Sequence, residues 1–295
     1  MNRWQIYAIG NHYHAATEPL PDLKALTQAT TGKPFRRIGR FIQLALIGAS
    51  RCAQSQALPP DTGVYFASGR GDLELTLEIM TQLFRDGQTP KPLNFVNTVS
   101  NAACFYLAQH LGLHSRSNFV CNRYFAFESV LQLALLDLQL GVVESALVGS
   151  VDIATSPLNE HRQRLHLPAD TPMGEGSHWL WLGPVNAERP RIGEVITAEH
   201  FTDRASLLEW VVRQNINPEL CQPAAGQFLS PGDLQYIREA TGLRNAFADC
   251  EERSYYDSHS GAVVSEFLRS SSAATQLLHI NADDQKRYSI MWAER

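Results

Sequence analysis

Short apolar strands alternating with amphipathic helices assign this chain to the α/β class. Three observations carry the assignment. The buried-type strand GVYFASG (63–69) runs into helical spacing over DLELTLEIMTQLFRDG (72–87), which stops at a glycine. A short apolar strand over 118–120 turns into an apolar helix, 130–140, that ends at Gly141. ESALVGSVD (144–152) then reads as the next strand. At 295 residues, 44% hydrophobic and 19% charged, the chain can bury one large core or two fused halves.

In chain order, QIYAIG (5–10) reads as the first strand and KPFRRIGRFIQLALIGASRCAQ (33–54) as a helix with a basic start. NFVNTVSN (94–101) leads into the helix NAACFYLAQHLGL (101–113). GSHWLWLGP (176–184) is a strand, and GPVNAERP (183–190) has the Pro, Gly and charge content of a linker. This divides the chain into 1–185 and 186–295. In the second part, strands are expected at 191–201, 276–283 and 288–295, and helices at 202–212 and 233–241. A Pro/Gly-containing loop runs through Gly232, and the run SGAVVSEFLRSSSA covers 260–273. No internal sequence repeat is evident.

The net charge of −5 gives no reason to expect nucleic-acid binding. Cysteines 52, 104, 121, 221 and 250 form no CxxC pair, which favours free thiols in a reducing compartment over disulfides or zinc. MNRWQIYAIG does not read as a signal peptide, and FIQLALIGA (41–49) is too short to span a bilayer, so a cytoplasmic protein is expected.

VCNRYFAFES (120–129) places a tight turn between strand and helix. Such a turn gathers one side chain and the first free N–H groups of the helix into a small volume, a geometry with which enzymes activate Ser or Cys. Its centre here is Tyr124. A phenol starts near a pKa of ~10 and a thiol near ~8.5, so Tyr124 is the poorer nucleophile. Cys104 reads as a buried helix cysteine and Cys121 as core packing. Asp257, Ser258 and His259 are neighbours in YYDSHSG and read as a polar loop, because triads assemble from separated positions. GSVD lacks the G-x-S-x-G pattern. His12 and His14 read as surface histidines in a polar loop, and His110 and His114 as a helix terminus. Glu175, between glycines, reads as fixing the backbone of a turn.

Segment 118–152 resembles the β-ketoacyl synthases of the thiolase fold, whose cysteine sits in an A-C-A-S-type turn ahead of a helix and an A-L-V-G-G strand. RRIGRFIQLALIGA resembles that family's early basic-apolar helix, and NTVSNAACFYLAQHLGL its dimer-interface loop and helix. PMGEGSHWLWLGP resembles its P-x-G-E-G segment, and LSPGD (229–233) the end of H-G-T-G-T-x-x-G-D. The likeness is good over 5–185 and loose over 190–295. It implies a thiolase-like fold, two related α/β halves in α-β-α-β-α layers, with the second half reduced.

The same alignment puts the family nucleophile at Tyr124. The first histidine falls at Ala225, with Gly226 kept beside it, and the second at Ser258, leaving His259 one place out. The late G-F-G-G element has no counterpart before Leu277–Ala282. Decarboxylative condensation needs a thiolate and two imidazoles. The resemblance therefore implies a catalytically inactive subunit, without cofactor or metal, like the chain length factors and nearest to those of bacterial aryl polyene pathways. Its implied partners are an active ketosynthase and an acyl carrier protein, with no nucleic acid and no membrane. Asn101, Cys104, Phe105 and Ala108 share helical spacings of three and four, and are expected to form one face at the interface, with Phe105 as the stop of the partner's acyl tunnel. Arg36, Arg37 and Arg40 read as a solvated face that could meet the carrier protein. The alternatives are an active synthase using an unrecognised nucleophile such as Cys104, and a thiolase-like scaffold without an acyl role.

Overall fold

The first strand, β1 (Trp4–Ala15), runs five residues beyond the expected 5–10, because residues 11–15 pair with Gly174–His178. The computed structural model describes residues 3–54, 56–99, 101–243, 246–247 and 254–295; Cys250 lies outside them. After β1 come α1 (Lys24–Thr31) and α2 (Arg40–Cys52). The basic segment expected to open α2 is not helical: Arg37 has a φ of 57° and Gly39 is extended, so the helix starts at Arg40. β2 (Gly63–Ser68), α3 (Leu73–Phe84), α4 (Pro92–Asn97) and α5 (Ala102–Leu111) follow, with the Asp72 carboxylate capping α3 by accepting from the Leu75 N–H. β3 (Ser117–Cys121) leads into α6 (Ala126–Gln139), then β4 (Ala146–Asp152), α7 (Leu158–Arg164) and β5 (Gly174–Gly183).

The remainder is β6 (Gly193–Phe201), α8 (Arg204–Arg213), β7 (Cys221–Ala225), α9 (Pro231–Thr241), α10 (Ser260–Arg269), β8 (Gln276–Ala282) and β9 (Tyr288–Glu294). β7 lies inside the stretch expected to be loop. Its CQPAA carries a proline, which an edge strand tolerates because its N–H side has no strand to bond.

Among the described residues the strands form one sheet in the order β3-β2-β4-β5-β1-β6-β9-β8-β7. Its two ends repeat one pattern. β2–β4 is parallel and β4–β5 and β5–β1 antiparallel; likewise β7–β8 is parallel and β8–β9 and β9–β6 antiparallel. The halves are joined where Trp4–Ile6 of β1 pairs with Gly193–Val195 of β6. β3 has no counterpart beyond β7 among the described residues, so the second half is the reduced one.

Among the described residues, three of the four apolar clusters fill the space between helix and sheet layers. α6 and α10 fill the middle: Phe127, Val130 and Val263 pack between Tyr65 and Val148 of one half and Leu277 and Met291 of the other. α2 and α5 cover the outside of the first half, and α8 and α9 the outside of the second. α2 is apolar all round because it lies under α1 and α5 and directly on β1. Its approach requires Gly10, where a Cβ would stand 2.2 Å from the Gly48 carbonyl oxygen.

Candidate functional site

The β3–α6 turn is built as the sequence suggests. The Asn122 side-chain oxygen accepts from the N–H groups of Tyr124 and Phe125, at 3.3 and 3.4 Å, which bends the chain into α6. From the other half, Asn281 on β8 donates to the Tyr124 carbonyl at 2.8 Å and to Glu128 Oε1 at 3.0 Å. The Asn281 oxygen accepts the Phe228 N–H at 3.2 Å. Gly226 makes room for this tie, since a Cβ there would stand 2.3 Å from Asn281 Cγ.

The volume in front of the turn is filled by rings. The Tyr124 ring meets Phe228 edge-on at 4.9 Å, and Phe228 meets Tyr255 at 6.3 Å. Burial and Asp284 raise the Tyr124 phenol above its ordinary value, against the opposing charge of Arg123, whose guanidinium lies 5.1 Å from the ring centre. This is the reverse of activation. Ala225 ends β7 beside Gly226 and carries no polar side-chain atom. Ser258 is buried in the segment that contains Tyr255, and its carbonyl accepts from Ser150 at 3.3 Å. Among the described residues no group of three His, Cys, Asp or Glu could hold a metal ion.

The architecture has solved counterparts. A ketosynthase bound to a hexaketide, in complex with its type II polyketide synthase acyl-carrier protein, superposes with a TM-score of 0.78 at 13% identity, over 100% of this chain and 99% of that one. The ishigamide ketosynthase/chain length factor gives 0.76 at 15%, over 99% of each chain. A β-ketoacyl synthase from Burkholderia phymatum STM815 gives 0.73 at 11%, over 100% of both.

The fold is the ketosynthase form of the thiolase fold.

No family model and no curated protein sequence matches the chain, so the likeness is one of fold.

On this ketosynthase fold the remaining sequence candidates separate. Asn101, Cys104, Phe105 and Ala108 do not form one face. Cys104 is buried beneath α5 with its thiol 3.8 Å from the Asn118 carbonyl, whereas Phe105 is 63% exposed. Adjacent helical residues point about 100° apart, and Cys104 takes the core side. Burial pushes its thiol up to about 12, which argues against Cys104 as a nucleophile. Cys121, expected in the core, is exposed at the end of edge strand β3. Thiol labelling of the folded chain, mapped by peptide, should therefore reach Cys121 first and leave Cys52, Cys104 and Cys221 unmodified. Labelling of Cys104 ahead of Cys121 would contradict this packing.

Arg40 is not on a solvated face: its Nε donates to both Glu175 oxygens, at 2.9 and 2.8 Å, and its Nη1 to the Pro21 carbonyl at 2.7 Å. Arg36 and Arg37 remain exposed. Glu175 lies in β5 and not in a turn; it also accepts the Ala154 N–H at 3.2 Å. Burial alone would raise its carboxyl, but His14 and Arg40 outweigh it and hold the group below its ordinary value. His12 and His14 are thus half-buried on β1 and not in a surface loop. His110 sits in the last turn of α5, 3.0 Å from the Ser50 hydroxyl of α2. Asp257, Ser258 and His259 are buried rather than looped out, and Asp257 binds Arg70 and Tyr255, each at 2.6 Å. Phe228 and Asn281 escaped the sequence reading. Phe228 was legible: it stands three places after Ala225, where the H-G-T-G-T motif has its second glycine.

Proposed function

We propose that this chain is a non-catalytic ketosynthase-like subunit, a chain length factor, that pairs with an active β-ketoacyl-ACP synthase and shapes its acyl tunnel, in a pathway of the aryl polyene type. The observation that carries the reading is the nucleophile turn itself. Tyr124 stands in the thiol's place, its ring is packed on Phe228, and the two histidine positions hold Ala225 and Ser258.

The surface supports a partner. α3, α4 and α5 pack in succession, and their outward sides expose Met80, Leu83, Phe84, Phe95, Val96 and Phe105. Clustered apolar exposure of this kind marks an interaction face. Beside it β3 is an edge strand, with one side of its backbone unpaired in the sheet. Phe105 on this face is the candidate tunnel stop, with Asn101 exposed one turn before it, while Cys104 and Ala108 sit further in. The exposed Arg36 and Arg37 are the candidate carrier-protein contacts. The division at 1–185 and 186–295 is proposed as the boundary between the ketosynthase-like half and the shortened half.

The test is product analysis with the reconstituted pair. Tyr124→Phe should leave turnover unchanged, and Phe105→Ala should release chains longer by one or more two-carbon units. Loss of all product with Tyr124→Phe would overturn the non-catalytic reading. An unchanged length distribution from an intact Phe105→Ala complex would remove Phe105 from the tunnel.

A further inference from the structure

Where β2, β3 and β4 end, two carboxyl groups from opposite halves meet. Asp152 closes β4, and Asp257 lies in the segment before α10; each is 5% exposed. Both lie against Gly69. Its N–H donates to Asp152 Oδ1 at 3.0 Å, and a Cβ on it would stand 2.8 Å from Asp257 Oδ2. The cavity that both carboxyl groups line holds about 10 Å³, room for about one water. No hydrated counter-ion fits there.

The charges facing the pair come from five places. After β2, Arg70 Nε donates to Asp257 Oδ2 at 2.6 Å, and Ser68 donates to Asp152 Oδ1 at 2.7 Å. Within the segment, the Tyr255 hydroxyl donates to Asp257 Oδ1 at 2.6 Å, and Arg123 of the nucleophile turn faces that ring. On α7, His161 is pulled down to about 4 by burial, against the charge of Asp257, and is therefore neutral; Arg162 and Arg164 face it. At the end of β3, burial and then Asp152 raise the Cys121 thiol, which stays protonated.

One guanidinium thus binds the pair directly, and Asp257 takes it. Two ionised carboxylates in so dry a site repel strongly, so one of them retains a proton. Burial first, and then the charge of Asp257, pushes the Asp152 carboxyl above the ordinary carboxylate range.

We propose that Asp152 keeps a proton beside Asp257 across the junction between the halves, and that this proton latches residues 254–258, with Tyr255 on Phe228, over the turn that carries Tyr124. Because proton binding favours the closed form, the latch is complete at low pH and is lost as pH rises through the value at which Asp152 ionises. Two adjacent negative charges then drive the segment outward.

Hydrogen exchange of the peptide spanning 254–268, corrected for the intrinsic pH dependence and followed from about pH 5 to about pH 9, reads this directly. One-proton linkage predicts an opening constant that rises by up to about tenfold per pH unit below the pH at which Asp152 ionises in the closed form, and levels off above it. Asp152→Asn keeps the shape of the protonated acid and should hold protection flat across the range. Arg70→Gln removes the cation that favours ionisation in the closed form and should move the levelling-off to higher pH. Protection independent of pH in the unaltered chain would overturn the proposal, as would an unchanged transition in Asp152→Asn. Should Asp152→Asn fail to fold, Arg70→Gln decides, because a levelling-off at the same pH would equally overturn it.

Discussion

Phe105→Asp should abolish assembly with the proposed ketosynthase partner while leaving this chain folded. Phe105 is 63% exposed, so the fold gains little from its ring and a carboxylate there stays hydrated. In a complex, the same carboxylate would be stripped of water among Phe95, Val96 and Val99, exposed neighbours on and after α4. An aromatic anchor at the centre of an interface commonly carries 2–4 kcal/mol, and a buried unpaired charge adds to the loss, so affinity should fall about a hundredfold or more. Co-purification together with circular dichroism checks both parts. A complex of unchanged affinity would place the partner on another face.

His279→Leu should flatten the acid limb of the stability curve. His279 is fully buried on β8, and neither ring nitrogen has a hydrogen-bond partner. Glu128 Oε1 is 3.8 Å from its Nδ1, and is already occupied by Ser260 and Asn281. Burial lowers the imidazole from 6.5 to about 3. A folded value below the unfolded one means that stability is intact above about pH 6.5 and is lost as pH falls, by about 1.4 kcal/mol per unit. By about pH 4 this residue alone removes roughly 3 kcal/mol. Burial raises Glu128, which acts in the opposite sense, so the informative quantity is the difference between the two chains. Denaturant unfolding of both at neutral and acid pH measures it. Parallel pH dependences would show that the buried imidazole is not what titrates.

The fold was largely legible because its signals are local. GVYFAS, ALVGSVD and the helix over 126–139 carry runs and periods that tertiary contacts did not need to override. β7 was missed because CQPAA has neither alternation nor β-branched residues. The length of β1 was missed because NHYHA reads as polar loop, while its partners, Gly174–His178, lie 159 to 167 residues away. At the site, sequence order located the turn, which the structure builds between β3 and α6. It could not show that Cys104 faces inward and Phe105 outward, nor that Arg40 is drawn in by Glu175. Those outcomes depend on which side of a helix meets the core, and apolar residues on both sides of α5 leave that undetermined.

The junction at Trp4–Ile6 also orders events in time. β1 is made first, yet the strands on either side of it, β5 and β6, are complete only at residues 183 and 201. β6 in turn waits for β9, which begins only at Tyr288. β1 is thus held without its neighbours while the residues up to 183 and 201 are made, and the second half cannot close its sheet until β9 has emerged. Long-range pairing of this kind folds slowly and keeps strand edges exposed meanwhile. A partner already present at that moment would find β3 and the outward faces of α3 to α5 before another nascent copy does. Simultaneous synthesis with the partner should therefore raise the yield of assembled protein above that from mixing the two finished chains.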